Sequence, residues 1–112
     1  MKCFRLIVSG RVQGVNFRNG VRKFCLMKGI KGTVQNLSDG NVEIFAQCDK
    51  NIYEDLIKWL KSNPGFAKVE NVGTKEISCE ENFGDFEIVR EGRFFDDQKG
   101  SIKNLTRRIL KI

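Results

Sequence analysis

An arginine at the start of a helix, just behind a loop flanked by glycines, is well suited to holding an anion. In this chain the stretch reads Ser9-Gly10-Arg11-Val12-Gln13-Gly14-Val15-Asn16-Phe17-Arg18. It follows an apolar run from Cys3 to Ser9 and leads into apolar residues at helical spacing. A strand–loop–helix junction turns successive backbone N–H groups inward, and the helix N-terminus adds the positive end of its dipole. Arg18 contributes a planar fork of donors matched to phosphate or carboxylate oxygens. These residues point to a cradle for a phosphate-like anion. A glycine-rich loop alone is a weak signal, because short patterns recur by chance.

A second group lies further on, at Gly32-Thr33-Val34-Gln35-Asn36 and Gly40-Asn41-Val42, with Ala67-Lys68-Val69-Glu70-Asn71-Val72 beyond it. The loop matches the signature of the acylphosphatases at Gly10, Val12, Gln13, Gly14, Val15, Phe17 and Arg18. The two later segments resemble that family's second signature and the strand after its second helix. The resemblance covers roughly residues 3–90. It implies a hydrolase that splits the carboxyl–phosphate bond of small-molecule acyl phosphates, releasing a carboxylate and inorganic phosphate, with neither metal nor cofactor. Carried over by position, Arg18 holds the phosphoryl group and Asn36 orients the attacking water. The backbone of Gln13, Gly14, Val15, Asn16 and Phe17 forms the amide cradle. Three positions depart from the family's pattern: Thr33 in place of an aromatic, Leu37 in place of a hydroxyl residue, and Cys48 in place of a glycine.

Such a small set of groups is chemically sufficient. A carboxylate is a weak base and leaves without being protonated, so no general acid is needed. Phosphoryl transfer runs through a loose transition state with its charge on the non-bridging oxygens. Positioning and aimed donors then carry the catalysis. Asparagine is no base at neutral pH, but it can hold a water in line while the substrate phosphate takes the proton. The absence of histidine is no obstacle.

The elements that must position these groups follow from periodicity. Cys3 to Ser9 alternates as a strand with Phe4, Leu6 and Val8 on one face. Phe17, Val21, Phe24 and Cys25 form a helical stripe that Gly29 ends. Gly32–Leu37 and Asn41–Gln47 read as a hairpin through Ser38-Asp39-Gly40. Asp49 is placed to cap a helix with Ile52, Leu56, Trp59 and Leu60 on one stripe, ended by Asn63-Pro64-Gly65. A long strand, Val69 to Ile77, and a short one, Phe86 to Arg90, complete the order. The expected fold is α+β, a ferredoxin-like βαββαβ sandwich with two helices on one face of an antiparallel sheet.

Composition narrows the partners. A chain of 112 residues, 40% hydrophobic and 30% charged, suits one globular domain. Its net charge of +6 favours anionic partners. An RNA-binding module shares this topology, and a non-catalytic phosphate- or nucleic-acid-binding domain is the alternative function. The run Asn41-Val42-Glu43-Ile44-Phe45-Ala46 lacks the stacking aromatics of that module, and Glu43 would repel phosphates. Cys3, Cys25, Cys48 and Cys79 are widely spaced with no histidine, so structural zinc is not expected. No apolar leader or membrane-length run is evident, so a cytoplasmic monomer with reduced thiols is expected. Residues 1–90 form the expected domain and residues 91–112 a basic extension. In the extension, Ile102, Leu105, Ile109 and Leu110 recur at helical spacing, predicting a helix over 98–111 packed on the sheet. Membrane or nucleic-acid contact through that extension is the less favoured reading.

Overall fold

The alternation of Phe4, Leu6 and Val8 buries one face of strand β1, Lys2–Arg11, in the computed structural model, which describes residues 1–80 and 83–90. Helix α1, Phe17–Lys28, buries Phe17, Val21 and Cys25 along its stripe. It ends at Gly29, whose left-handed backbone lets the N–H groups of Gly29 and Ile30 return to the Leu26 and Cys25 carbonyls. Strands β2, Lys31–Asn36, and β3, Val42–Cys48, pair through the Asp39-Gly40 turn, where Asp39 Oδ1 accepts the Asn41 N–H at 3.0 Å. Helix α2, Lys50–Lys61, follows with Leu56 and Leu60 buried. Asp49 occupies its N-cap position but makes no side-chain capping bond, contrary to expectation.

Strands β4, Lys68–Ile77, and β5, Phe86–Val89, complete a five-stranded sheet in the order β4-β1-β3-β2-β5. Both helices pack on one face over the cluster that includes Leu6, Val8, Val34, Ile44 and Phe86. The ferredoxin-like α+β sandwich is therefore the fold. The first four strands are antiparallel, whereas β5 runs parallel to β2 and makes the sheet mixed. The cause is directional: the chain reverses after β4, so β5 travels the same way as β2, beside which it lands.

The opposite sheet face is polar at its centre. Glu43 is buried there, accepting from Arg5 Nε at 2.7 Å and Gln35 Nε2 at 2.9 Å. Phe45 alternates with Ile44 and Ala46 and stands outside the helix-facing cluster. The helix expected over 98–111, and the whole extension 91–112, lie outside the described residues. Among the described residues no helix is long and apolar enough to cross a membrane.

The expectation of reduced thiols fails for one pair. Cys3 and Cys79 form a disulfide with their Cα atoms 5.4 Å apart. Seventy-six residues separate them in sequence, but β1 pairs with β4 so that Cys3 faces Ile77, two residues short of Cys79. Cys25 and Cys48 remain free and buried. Closing so long a loop restricts the unfolded chain, an effect typically worth about 2–4 kcal/mol. Reduction with dithiothreitol should accordingly lower the melting temperature by roughly 10 °C. An unchanged melting curve in reductant would mean that the bridge does not form in solution.

Candidate functional site

The loop between β1 and α1 is held at three points. Gly10 sits at a bulge in the β1–β4 pairing, where a Cβ would overlap the Lys68 carbonyl oxygen, so no larger residue fits. Val12 and Phe17 are buried in the core at either end of the turn. Gly14 and Asn16 adopt positive φ, 76° and 61°, and this coils the backbone back on itself before α1 starts. Asn16 can occupy the left-handed region because its short polar side chain tolerates it. Its side chain makes no cap bond and instead accepts a hydrogen bond from Asn19 Nδ2.

The third fastening crosses to the hairpin. Gln13 Nε2 donates to the carbonyls of Leu37 and Asn41, both at 2.8 Å. Those carbonyls flank the Ser38-Asp39-Gly40 turn, and Asn36 ends the strand entering it. One side-chain amide thus ties the loop to the hairpin that carries Asn36.

The result is a cleft of about 250 Å³ lined by Gly14, Asn16, Phe17, Arg18 and Asn36, together with Val12, Asn19, Ile88 and Arg90. The structure brings Arg18 and Asn36 into one cleft from α1 and β2. Gln13 and Val15 do not line it. Gln13 serves as the tie, and Val15 lines a neighbouring groove. Asn36 Oδ1 is buried with no hydrogen-bond partner among the described residues. An unmet buried acceptor is rare in folded proteins and points to a water or ligand partner.

Sequence reasoning missed Asn19, Ile88 and Arg90. Arg90 comes to the cleft because β5 pairs in parallel with β2, Gln35 facing Val89, so the chain leaves β5 next to Asn36. Nothing in the spacing announced that register; a basic residue closing the last strand was the sole hint. Asn19 was signalled only by standing three residues after Asn16, one helical turn on.

Arg18 and Arg90 make the lining cationic, and no carboxylate joins it among the described residues. No three histidine, cysteine, aspartate or glutamate residues cluster to hold a metal ion among the described residues. The free thiols are also unsuited to chemistry. Burial pushes the Cys25 thiol far above its ordinary value, with Cys48 reinforcing it, and burial beside Asp49 pushes Cys48 up to about 11. Both stay protonated at neutral pH, and neither lines the cleft.

Since Gln13 joins the two halves of the site, Gln13→Ala should remove both cross-links, costing about 0.5–1.5 kcal/mol for each hydrogen bond lost, although the Leu37 and Asn41 carbonyls keep their bonds from the Gly40 and Leu37 N–H groups. Gln13→Glu should be worse, because a carboxylate would face two carbonyl oxygens in place of a donor. Thermal denaturation checks both variants, and equal melting temperatures for wild type and Gln13→Glu would contradict the tie.

Comparison with known proteins follows the same outline. The family model described as Acylphosphatase matches residues 4–88. A relative from Dehalococcoides mccartyi, named acylphosphatase, is 40% identical over 89 residues, covering 79% of this chain and 98% of its own. The crystal structure of an acylphosphatase from Bacillus subtilis is 36% identical with a TM-score of 0.75, covering 80% of this chain and 99% of that one. An acylphosphatase structure from Coxiella burnetii is 40% identical with a TM-score of 0.74, covering 79% of this chain and 92% of that one.

Proposed function

This chain belongs to the acylphosphatase family, and from that premise we propose that Arg18 and Asn36 divide the hydrolysis of an acyl phosphate between them. The family's reaction fixes the substrate class, an acyl phosphate, and one product, inorganic phosphate. The observation that carries the assignment of residues is the convergence of Arg18, Asn36 and the left-handed loop in one cleft.

In this reading the amides of the loop residues that line the cleft, Gly14, Asn16 and Phe17, and the Arg18 guanidinium receive the non-bridging phosphoryl oxygens. The positive end of α1 adds to them. Charge accumulates on those oxygens as the bond to the carboxylate breaks, so preorganised donors stabilise the transition state more than the ground state. Asn36 Oδ1, without another partner among the described residues, accepts a hydrogen bond from the attacking water and holds its oxygen toward phosphorus. The carboxylate leaves unprotonated, and the phosphate itself takes the proton that the water gives up. Arg90 lies within the same cleft and adds charge for an incoming dianion.

The nucleic-acid reading has less support. The sheet face opposite the helices, which would have to stack bases, has buried Glu43 at its centre, engaged by Arg5 and Gln35. A cytoplasmic monomer is the setting we propose for the enzyme. The Cys3–Cys79 bridge is the feature that a reducing compartment would test.

The two residues should separate kinetically. Arg18→Ala should fold and lose about 10³-fold or more in turnover together with inhibition by inorganic phosphate. Arg18→Lys should also be severe, because a point charge cannot replace two parallel donors. Asn36→Ala should lose about 10²-fold in kcat while phosphate inhibition persists. Near-normal hydrolysis by Arg18→Ala would reject the assignment. Arg18 and the amides supply the positive charge in this scheme, so activity should also persist in excess EDTA, and a requirement for added magnesium would contradict it.

A further inference from the structure

Beside the catalytic cleft runs a second depression of about 270 Å³, and the two share Asn16, Phe17 and Asn19 as lining. Its far side is apolar and aromatic, built from Val15, Trp59, Pro64 and Phe66. Phe66 is 84% exposed, a large ring left in water by a folded chain. A lone exposed apolar residue needs no explanation, but here it borders a groove with Trp59 as a neighbouring wall. Trp59 is itself fixed, stacked on Phe24 with ring centroids 4.6 Å apart. Gly20 also lines the groove, and the Trp59 ring lies at ordinary contact distance, 3.7 Å, from where a Cβ would stand.

The two depressions have different chemistry. The cleft offers Arg18, Arg90 and Asn36, while the groove offers rings, with Lys23 as its one cation among the described lining residues. In-line displacement sends the leaving group off on the side opposite the attacking water. Asn36 stands on β2 at one wall of the cleft and does not reach the groove. The first turn of α1, with the hydrogen-bonded Asn16–Asn19 pair, is the wall common to both. An acyl group that extends from the cleft into the groove therefore crosses that pair.

We propose that this groove is the subsite for the acyl portion of the substrate, and that it selects acyl phosphates with an aromatic or bulky apolar acyl group. The inference rests on the reading of the neighbouring cleft as the site of acyl-phosphate hydrolysis. A volume near 270 Å³ lies just below the range of ligand clefts, about 300–1,000 Å³, and suits one ring rather than a larger molecule. Aromatic walls favour a flat partner through offset stacking. The groove holds the acyl group alike before and at the transition state, so it acts mainly on KM.

The test compares benzoyl phosphate with acetyl phosphate in wild type, Phe66→Ala and Phe66→Trp. Phe66 is exposed, so its truncation leaves the fold intact, which thermal denaturation verifies. For Phe66→Ala, KM for benzoyl phosphate should rise roughly tenfold, the low end of hydrophobic discrimination, with kcat unchanged. Acetyl phosphate kinetics should not move, and Phe66→Trp should restore benzoyl phosphate binding. Unchanged benzoyl phosphate kinetics in Phe66→Ala, with wild type active on both substrates, would overturn the subsite and leave the catalytic reading standing. Equal losses on both substrates would also overturn it, assigning Phe66 to the cradle instead. Wild type inactive on both would instead remove the catalytic reading itself, and the subsite with it.

Discussion

Two hydrogen bonds from one amide hold this site together. Gln13 Nε2 donates to the carbonyls of Leu37 and Asn41 at 2.8 Å each, joining the β1–α1 loop to the β2–β3 hairpin. Arg18 stands in α1 and Asn36 in β2, and this tie is the side-chain link between the loop before the one and the turn after the other. Surface loops are ordinarily the most mobile parts of a domain. Catalysis by positioning requires the reverse, with donors fixed before the substrate arrives. The rest of the fold supports this junction: Val12 and Phe17 anchor the loop in the core, and the bulge at Gly10 sets its exit from the sheet.

The division of labour within the loop follows from its backbone. Positive φ at Gly14 and Asn16 winds the chain so that a helix can begin at Phe17 with its N-terminus at the cleft. A cleft with two arginines and no lining carboxylate among the described residues then attracts anions without a metal ligand set. The same winding places Asn16 and Asn19 between the cleft and the aromatic groove. One turn of chain thereby serves a charged face on one side and an apolar one on the other.

Much of this was legible in the sequence, for physical reasons that differ by residue. Phe4, Leu6 and Val8 declare a strand because alternation puts them on one buried face, and Phe17, Val21 and Cys25 declare a helix for the matching reason. The loop and Asn36 were readable through a resemblance carried by many positions at once. What escaped depended on contacts distant in sequence. Cys3 and Cys79 meet only because β4 pairs beside β1, and Arg90 meets Asn36 only because β5 runs parallel to β2. Gln13 was read as part of the cradle, whereas its side chain is the tie, since the partner carbonyls lie more than twenty residues away. Asp49 shows the limit of local rules: the residue type is right for a cap, but its side chain makes no such bond.

We propose that water attacks phosphorus, held there by Asn36 opposite a phosphoryl group cradled by the loop and Arg18. Attack at the carbonyl carbon would yield the same two products, so rates alone do not distinguish the routes. Hydrolysis of benzoyl phosphate in water enriched in heavy oxygen, followed by mass spectrometry of both products, does. Attack at phosphorus puts the label in inorganic phosphate and none in benzoate. Label in the benzoate would place the attack at carbon and contradict the cradle as the seat of the reaction.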